Sequence, residues 1–136
     1  MLGLAYDDSG MYKGQKFGGF NPGVTIVREL DGGSDLGSAL GTYLEVGISP
    51  SLQATDAIKL TLPIAVGFSL DDYYQDEAGK DNSVGFYSIG VQLETPVSYW
   101  TLTAGVQYLL LDGVTQAING GDASEVVGSI GMSLSW

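Results

Sequence analysis

From Ile58 to Leu70 every second residue is apolar: Ile58, Leu60, Leu62, Ile64, Val66, Phe68 and Leu70. The residues between them are Lys59, Thr61, Pro63, Ala65, Gly67 and Ser69. Successive side chains of a strand point to opposite faces, so this run makes one face continuously apolar and the other small or polar. A helix repeats every 3.6 residues and cannot carry such a run of matches to a period of two. The stretch therefore predicts a strand well beyond the ~5–6 residues common in soluble domains. Pro63 has no N–H for the ladder, which implies a bulge or an edge at that point.

The same alternation recurs. Residues 38–52 set Leu40, Thr42, Leu44, Val46 and Ile48 against Gly41, Tyr43, Glu45, Gly47 and Ser49. Residues 83–97 set Tyr87, Ile89, Val91 and Leu93 against Ser88, Gly90, Gln92 and Glu94. Residues 99–111 set Trp100, Leu102, Ala104, Val106, Tyr108 and Leu110 against Thr101, Thr103, Gly105 and Gln107. Residues 125–136 put Val126, Gly128, Ile130, Met132, Leu134 and Trp136 on one side and Ser129, Gly131, Ser133 and Ser135 on the other. Two less regular strands are expected at 1–7 and 20–30. The segments between read as turns and loops at 8–19, 31–37, 53–56, 71–82, 95–98 and 112–124, and no helix is expected. The expected fold class is all-β, an antiparallel up-and-down meander of about eight strands, treated as a single domain over residues 1–136.

Composition removes several chemistries. The chain has no Cys and no His, so disulfides, thiolate sites, imidazole acid–base work and histidine metal ligation are excluded by residue type. Sixteen acids against five bases give a formal charge of −11, which opposes nucleic-acid binding. Charged residues are 15% of the chain, below the roughly 25% of ordinary soluble domains. The polar faces are thus made of Gly, Ser, Thr, Ala and Gln rather than of Lys and Glu. No apolar run reaches the ~18 residues of a membrane-crossing helix.

Ile130, Met132, Leu134 and the terminal Trp136 resemble the closing strand of bacterial outer-membrane β-barrels, in which alternating apolar residues lead to a terminal aromatic. The resemblance implies a transmembrane β-barrel, porin-like, of about eight strands or forming the carboxy-terminal part of a larger barrel. It implies lipid against the apolar faces, lipopolysaccharide and the barrel assembly machinery as partners, a homo-oligomer as an option, and a bacterial outer-membrane location. Loop lengths fit that scheme: 112–124 and 71–82 are long, 95–98 and 53–56 are short, and they alternate as long outer loops and short periplasmic turns do. The connection 8–19 breaks the rule by its length. Seven strands is also an odd number, whereas single-chain bacterial barrels use even counts. An eighth strand within 8–19 or a missing amino-terminal portion would restore parity, and residues 1–8 lack the features of an export signal.

On this scheme Glu45, Lys59, Gln92, Glu94, Thr101, Thr103, Gln107 and Glu125 are lumen-facing candidates. Their carboxylate excess favours cations if the lumen holds water. A packed interior with Lys59 paired to a glutamate is the plainer reading for a small barrel. Asp71, Asp72 and Asp76 could offer oxygen ligands to a divalent ion, but the spacing lacks a calcium-loop pattern and better describes a solvated loop. Asp7 and Asp8 are adjacent, so their side chains diverge and make a poor catalytic pair. No enzyme activity and no cofactor are expected. The alternative from another class is a secreted or surface-exposed β-sandwich serving as a binding or assembly module. The two differ in whether the apolar faces point outward or into a core.

Overall fold

The computed structural model describes residues 1–30, 40–71, 73 and 84–134. They form one antiparallel sheet of nine hydrogen-bonded strands: β1 (Leu2–Ala5), β2 (Gly23–Arg28), β3 (Thr42–Ile48), β4 (Ser51–Thr55), β5 (Ile58–Thr61), β6 (Ile64–Asp71), β7 (Val84–Val97), β8 (Trp100–Leu111) and β9 (Ser124–Leu134). Trp136, Asp72 and Asp76 lie outside the described residues, and Asp71 ends β6.

Prolines explain why nine segments stand where seven strands are expected. β3 and β4 are one strand interrupted at Ser49 and Pro50, and β5 and β6 are one strand interrupted at Leu62 and Pro63. Neither proline can donate to the ladder. Their carbonyls still accept, Pro50 from the Leu62 N–H at 2.9 Å and Pro63 from the Gly90 N–H at 2.8 Å. The sheet therefore stays continuous across both breaks. Taking the broken strands as units, each strand pairs with its neighbour in sequence: β1 with β2, β2 with β3, β3 with β6, β4 with β5, β7 with both β5 and β6, β8 with β7, and β9 with β8.

Several expectations are corrected. The stretch 8–19 holds no eighth strand. It contains a short 3-10 helix, Ser9–Tyr12, and then an extended run that bonds to β4 through Gln53 N to Lys16 O, Gly18 N to Ser51 O and Ser51 N to Gly19 O. This run prolongs the line of β2. The segment 112–124 is not all loop: α1 (Gly113–Ile118) occupies half of it. Its end is set by Gly120 and Gly121, both at positive φ, whose N–H groups bond back to Ala117 and Gln116. The two-residue turns fall at 56–57 and 98–99 rather than at 53–56 and 95–98, with Ser98 at φ 59°. Finally, among the described residues the sheet is open: β1 pairs only with β2 and β9 only with β8.

The sheet has no hydrophobic core in the usual sense. Among the described residues the buried apolar side chains are Tyr43 and Val114, and both lie on the polar side of the sheet or above it. The expected apolar face is the exposed one. Ile89 is 55% exposed while the adjacent Ser88 is 5% exposed. The register explains this. Leu4, Val24, Val46, Val66, Tyr87 and Leu110 line up across six strands on one face. One residue along, Ala5, Gly23, Gly47, Ala65, Ser88 and Leu109 line up on the other. From Ala5 to Ser88 the second row is made of small residues, and Leu109 on β8 ends the run. A Cβ on Gly47 would come within 2.8 Å of the Ile64 carbonyl oxygen.

Candidate functional site: the polar face

Period-two alternation and the observed register place Glu45, Lys59, Gln92, Glu94, Thr101, Thr103, Gln107 and Glu125 on one face. They do not form one cluster. Lys59, Glu94 and Thr103 stand in one row across β5, β7 and β8, with Gln53 of β4 beside Lys59. Lys59 Nζ lies 3.3 Å from Glu94 Oε2, and the Gln92 amide donates to Glu94 Oε1 at 3.4 Å. Thr101 stands opposite Pro96 and Ser133, and Gln107 opposite Gly90 and Val127. Glu125 belongs to the other end, where it accepts from the Asn119 side chain at 3.3 Å.

Glu45 joins an aromatic group at that same end. The Tyr43 hydroxyl donates to Glu45 Oε2 at 2.6 Å. The Tyr43 ring stacks near Tyr73 and Phe86, with centroids at 5.1 and 6.1 Å. Val27 and Val114 complete the patch, so α1 folds back over the polar face. Asp112 N bonds to Gly85 O at 3.0 Å and ties the start of α1 to β7. In sequence, α1 is too short to register a helical period, which is why it goes unpredicted.

The end with the two-residue turns carries a polar cavity of about 280 Å³, lined by Asp7, Ser9, Gln15, Lys16, Gly18, Asn21, Ser51, Gln53 and Lys59. Of these only Lys59 is expected on the polar face from residue type and alternation; the others converge through contacts distant in sequence. Asp8 holds the wall together. It is buried, and its two carboxylate oxygens accept the main-chain N–H groups of Phe20 at 3.1 Å and Asn21 at 2.9 Å. Asn21, at φ 48°, passes the link on by donating to Ser49 O at 3.2 Å. Asp7 points elsewhere and lines the cavity. The Ser9 side chain and then the Ser9 N–H, at 2.9 Å, hold its carboxyl below the usual aspartate value of 3.8, with a smaller contribution from Lys59. Asp7 lies in the connection after β1, outside the long strands.

The opposite face carries a groove of about 730 Å³ between Leu4, Tyr6, Val24, Val46, Ile48, Ile64, Val66 and Tyr87. It has almost no polar lining. Among the described residues no group of three or more acidic side chains is arranged to hold a metal ion. Among the described residues no helix is long and apolar enough to cross a membrane, which says nothing of crossing by strands. Compared with protein-family models, curated proteins and solved structures, the chain matches none.

Proposed function

We propose that this sheet is the wall of an outer-membrane β-barrel, either a porin-like passive channel for small solutes or a structural outer-membrane protein. The observation that carries the reading is the outward apolar face. An exposed apolar surface far beyond a few hundred Å² marks an interaction with lipid or with another protein. Here it spans every strand, and small polar residues occupy the sheltered side, as a lipid-facing exterior and a polar interior require.

Dimensions support the same reading. β8 has 12 residues, about 40 Å at ~3.3 Å per residue. Tilted by ~45°, it spans about 28 Å, close to the ~25 Å apolar band of such barrels. The ends also differ. Two-residue turns at 56–57 and 98–99 lie at one end, together with the longer connection 6–22, whereas the hairpins β2–β3, β6–β7 and β8–β9 are joined at the other.

Closure follows from strand direction. Each neighbour pair is antiparallel, so β1 and β9 run the same way. Direct pairing of β9 with β1 would be parallel. An odd number of further strands between them gives an antiparallel closure and the even count of bacterial barrels. Open edges in lipid would leave N–H and C=O groups unsatisfied at several kcal/mol each. On the polar face Glu45, Glu94 and Glu125 outnumber Lys59, which favours cations in a water-filled lumen. The sandwich alternative needs a second sheet over the apolar face, and all nine strands lie in one sheet, so the cover would come from outside the described residues.

The test is folding of the chain in plain buffer and in detergent micelles, read by far-ultraviolet circular dichroism and by gel mobility with and without boiling. Strand signal only in micelles, with a boiling-dependent shift, is expected. A monodisperse β-protein in plain buffer would overturn the reading. Conductance across planar bilayers then separates a channel from a filled barrel.

A further inference from the structure

The polar face changes character along its length. Toward the turns at 56–57 and 98–99 it carries Lys59, Gln92, Glu94 and Thr103. Toward the other end the same phase of the strands carries Tyr43, Phe86, Leu109 and Leu111, and α1 lies over that apolar half. α1 is seated by one knob. Of its six residues Val114 is the buried one, 7% exposed, packed in a socket with Tyr43, Phe86, Tyr73 and Val27. Removal of apolar surface from water favours that seat. The neighbouring Thr115 opposes it: its hydroxyl is buried with no hydrogen-bond partner among the described residues. A buried hydroxyl in that state gains from any motion that lets water reach it. The segment is also built to move as a unit. Gly113, Gly120 and Gly121 bound it at positive φ, and nothing lies within 4 Å of where a Cβ would stand at Gly120 or Gly121. Its root is tied to β7 by the Asp112 N–H to Gly85 O bond at 3.0 Å, so α1 can lift from the socket without leaving the sheet.

We infer that α1 is a two-position cap on the polar face, closed when Val114 sits in the aromatic socket and biased toward opening by the unpartnered Thr115 hydroxyl. The closed position puts apolar side chains over the end of the face opposite the Lys59–Glu94 pair. In a barrel this is a gate, because an apolar constriction sheds water and stops solutes. The cap rests on contacts within this chain, and only its action as a gate rests on the barrel reading.

The chain has no Cys, so single thiols report the cap cleanly. Labelling by a maleimide is timed in the folded full chain for Val114→Cys in the socket, for Ala117→Cys on the exposed side of α1, and for Ser88→Cys buried in β7. Val114→Cys should react more slowly than Ala117→Cys, because the socket covers it, and faster than Ser88→Cys, because the cap opens without the sheet unfolding. Adding Thr115→Val to Val114→Cys keeps the shape and removes the unpartnered hydroxyl. It should slow the labelling of residue 114 by about tenfold, the scale of one unsatisfied buried polar group. A Val114→Cys rate equal to that of Ala117→Cys would mean no closed position. A rate equal to that of Ser88→Cys would mean no separate opening. Either overturns the cap, as does a rate unmoved by Thr115→Val. The labelling is run in whichever medium folds the chain, so it does not depend on a barrel. In planar bilayers Thr115→Val should lower the open fraction by the same factor, and expected labelling without any conductance would count against the channel and leave the cap supported.

Discussion

Lys59 Nζ sits 3.3 Å from Glu94 Oε2, facing it across the register of β5 and β7. Both side chains remain partly exposed, at 44% and 28%. Such pairs contribute little stability, roughly 0–1 kcal/mol. Their effect is on the local field. Lys59→Gln should leave the urea midpoint nearly unchanged. In a conducting barrel it should raise the cation-over-anion permeability ratio by about twofold, because Glu94 loses its counter-charge. Reversal potentials in a salt gradient measure this, and Glu94→Gln should move the ratio the other way.

Asp8 is the opposite case, a carboxylate whose role is to hold main chain. Its oxygens satisfy the N–H groups of Phe20 and Asn21 at the point where the chain turns into β2. Removing them leaves two half-buried donors without these partners. Asp8→Ala should cost about 2–4 kcal/mol, since each orphaned buried group costs about 1–3. Denaturant unfolding measures the loss. The neighbouring Asp7→Ala should cost far less, because Asp7 is exposed and its partner, Ser9, is within the same turn.

That contrast shows what the sequence makes legible. Strand faces are local: Ile64, Val66 and Phe68 alternate with Ala65 and Gly67 whatever lies beside them, and the structure keeps them on opposite sides. Antiparallel neighbours follow from short turns such as 56–57. The Asp8 clasp is not local, joining residues 12 and 13 positions apart. The polar cavity likewise needs Lys16 beside Gln53, a contact made by the Gln53 N–H donating to the Lys16 carbonyl. Pro63 announces its break in the sequence, whereas Pro50 falls inside the strand expected over 38–52, where the structure interrupts it. The aromatic patch of Tyr43, Tyr73 and Phe86 escapes because Tyr43 and Phe86 occupy the polar phase of their strands.

Asp7 gives a pH test. Its carboxyl is held below 3.8 by Ser9 first and by Lys59 last. A depressed folded-state value means the interaction stabilises above the unfolded value and is lost as pH falls through the folded one. Ser9→Ala should move the Asp7 titration upward toward 3.8, read from carboxyl carbon shifts by NMR. An unchanged midpoint in that variant would remove the Ser9 hydroxyl as the cause and leave its main-chain N–H.

Glycines of the two faces differ in what a methyl group would meet. At Gly47 an added Cβ lies 2.8 Å from the Ile64 carbonyl oxygen and 3.1 Å from the Ala65 Cβ, so main chain must shift. At Gly128, on the apolar side of β9, nothing lies within 4 Å. Gly47→Ala should destabilise by about 1–3 kcal/mol, the usual cost of overpacking. Gly128→Ala should be neutral or slightly stabilising through the unfolded chain. Equal effects would mean that β3 and β6 are not held as closely as this register requires.

The sharpest test of the apolar face is a charge placed at its centre. Ile89 lies mid-strand in β7, between Ile64 and Tyr108, and is 55% exposed. If that face meets water, Ile89→Lys is a surface change and should shift stability by less than about 0.5 kcal/mol. If it meets the hydrocarbon of a bilayer, the same change should cost about 2–4 kcal/mol near the midplane. Thr103→Lys, on the polar face opposite Glu94, controls for charge alone and should be tolerated. Folding yields of both variants into lipid vesicles, with a gel-shift readout, separate the cases. A large loss for Ile89→Lys with little for Thr103→Lys on insertion into vesicles is the expected result, because hydrocarbon against the exposed face refuses a charge there.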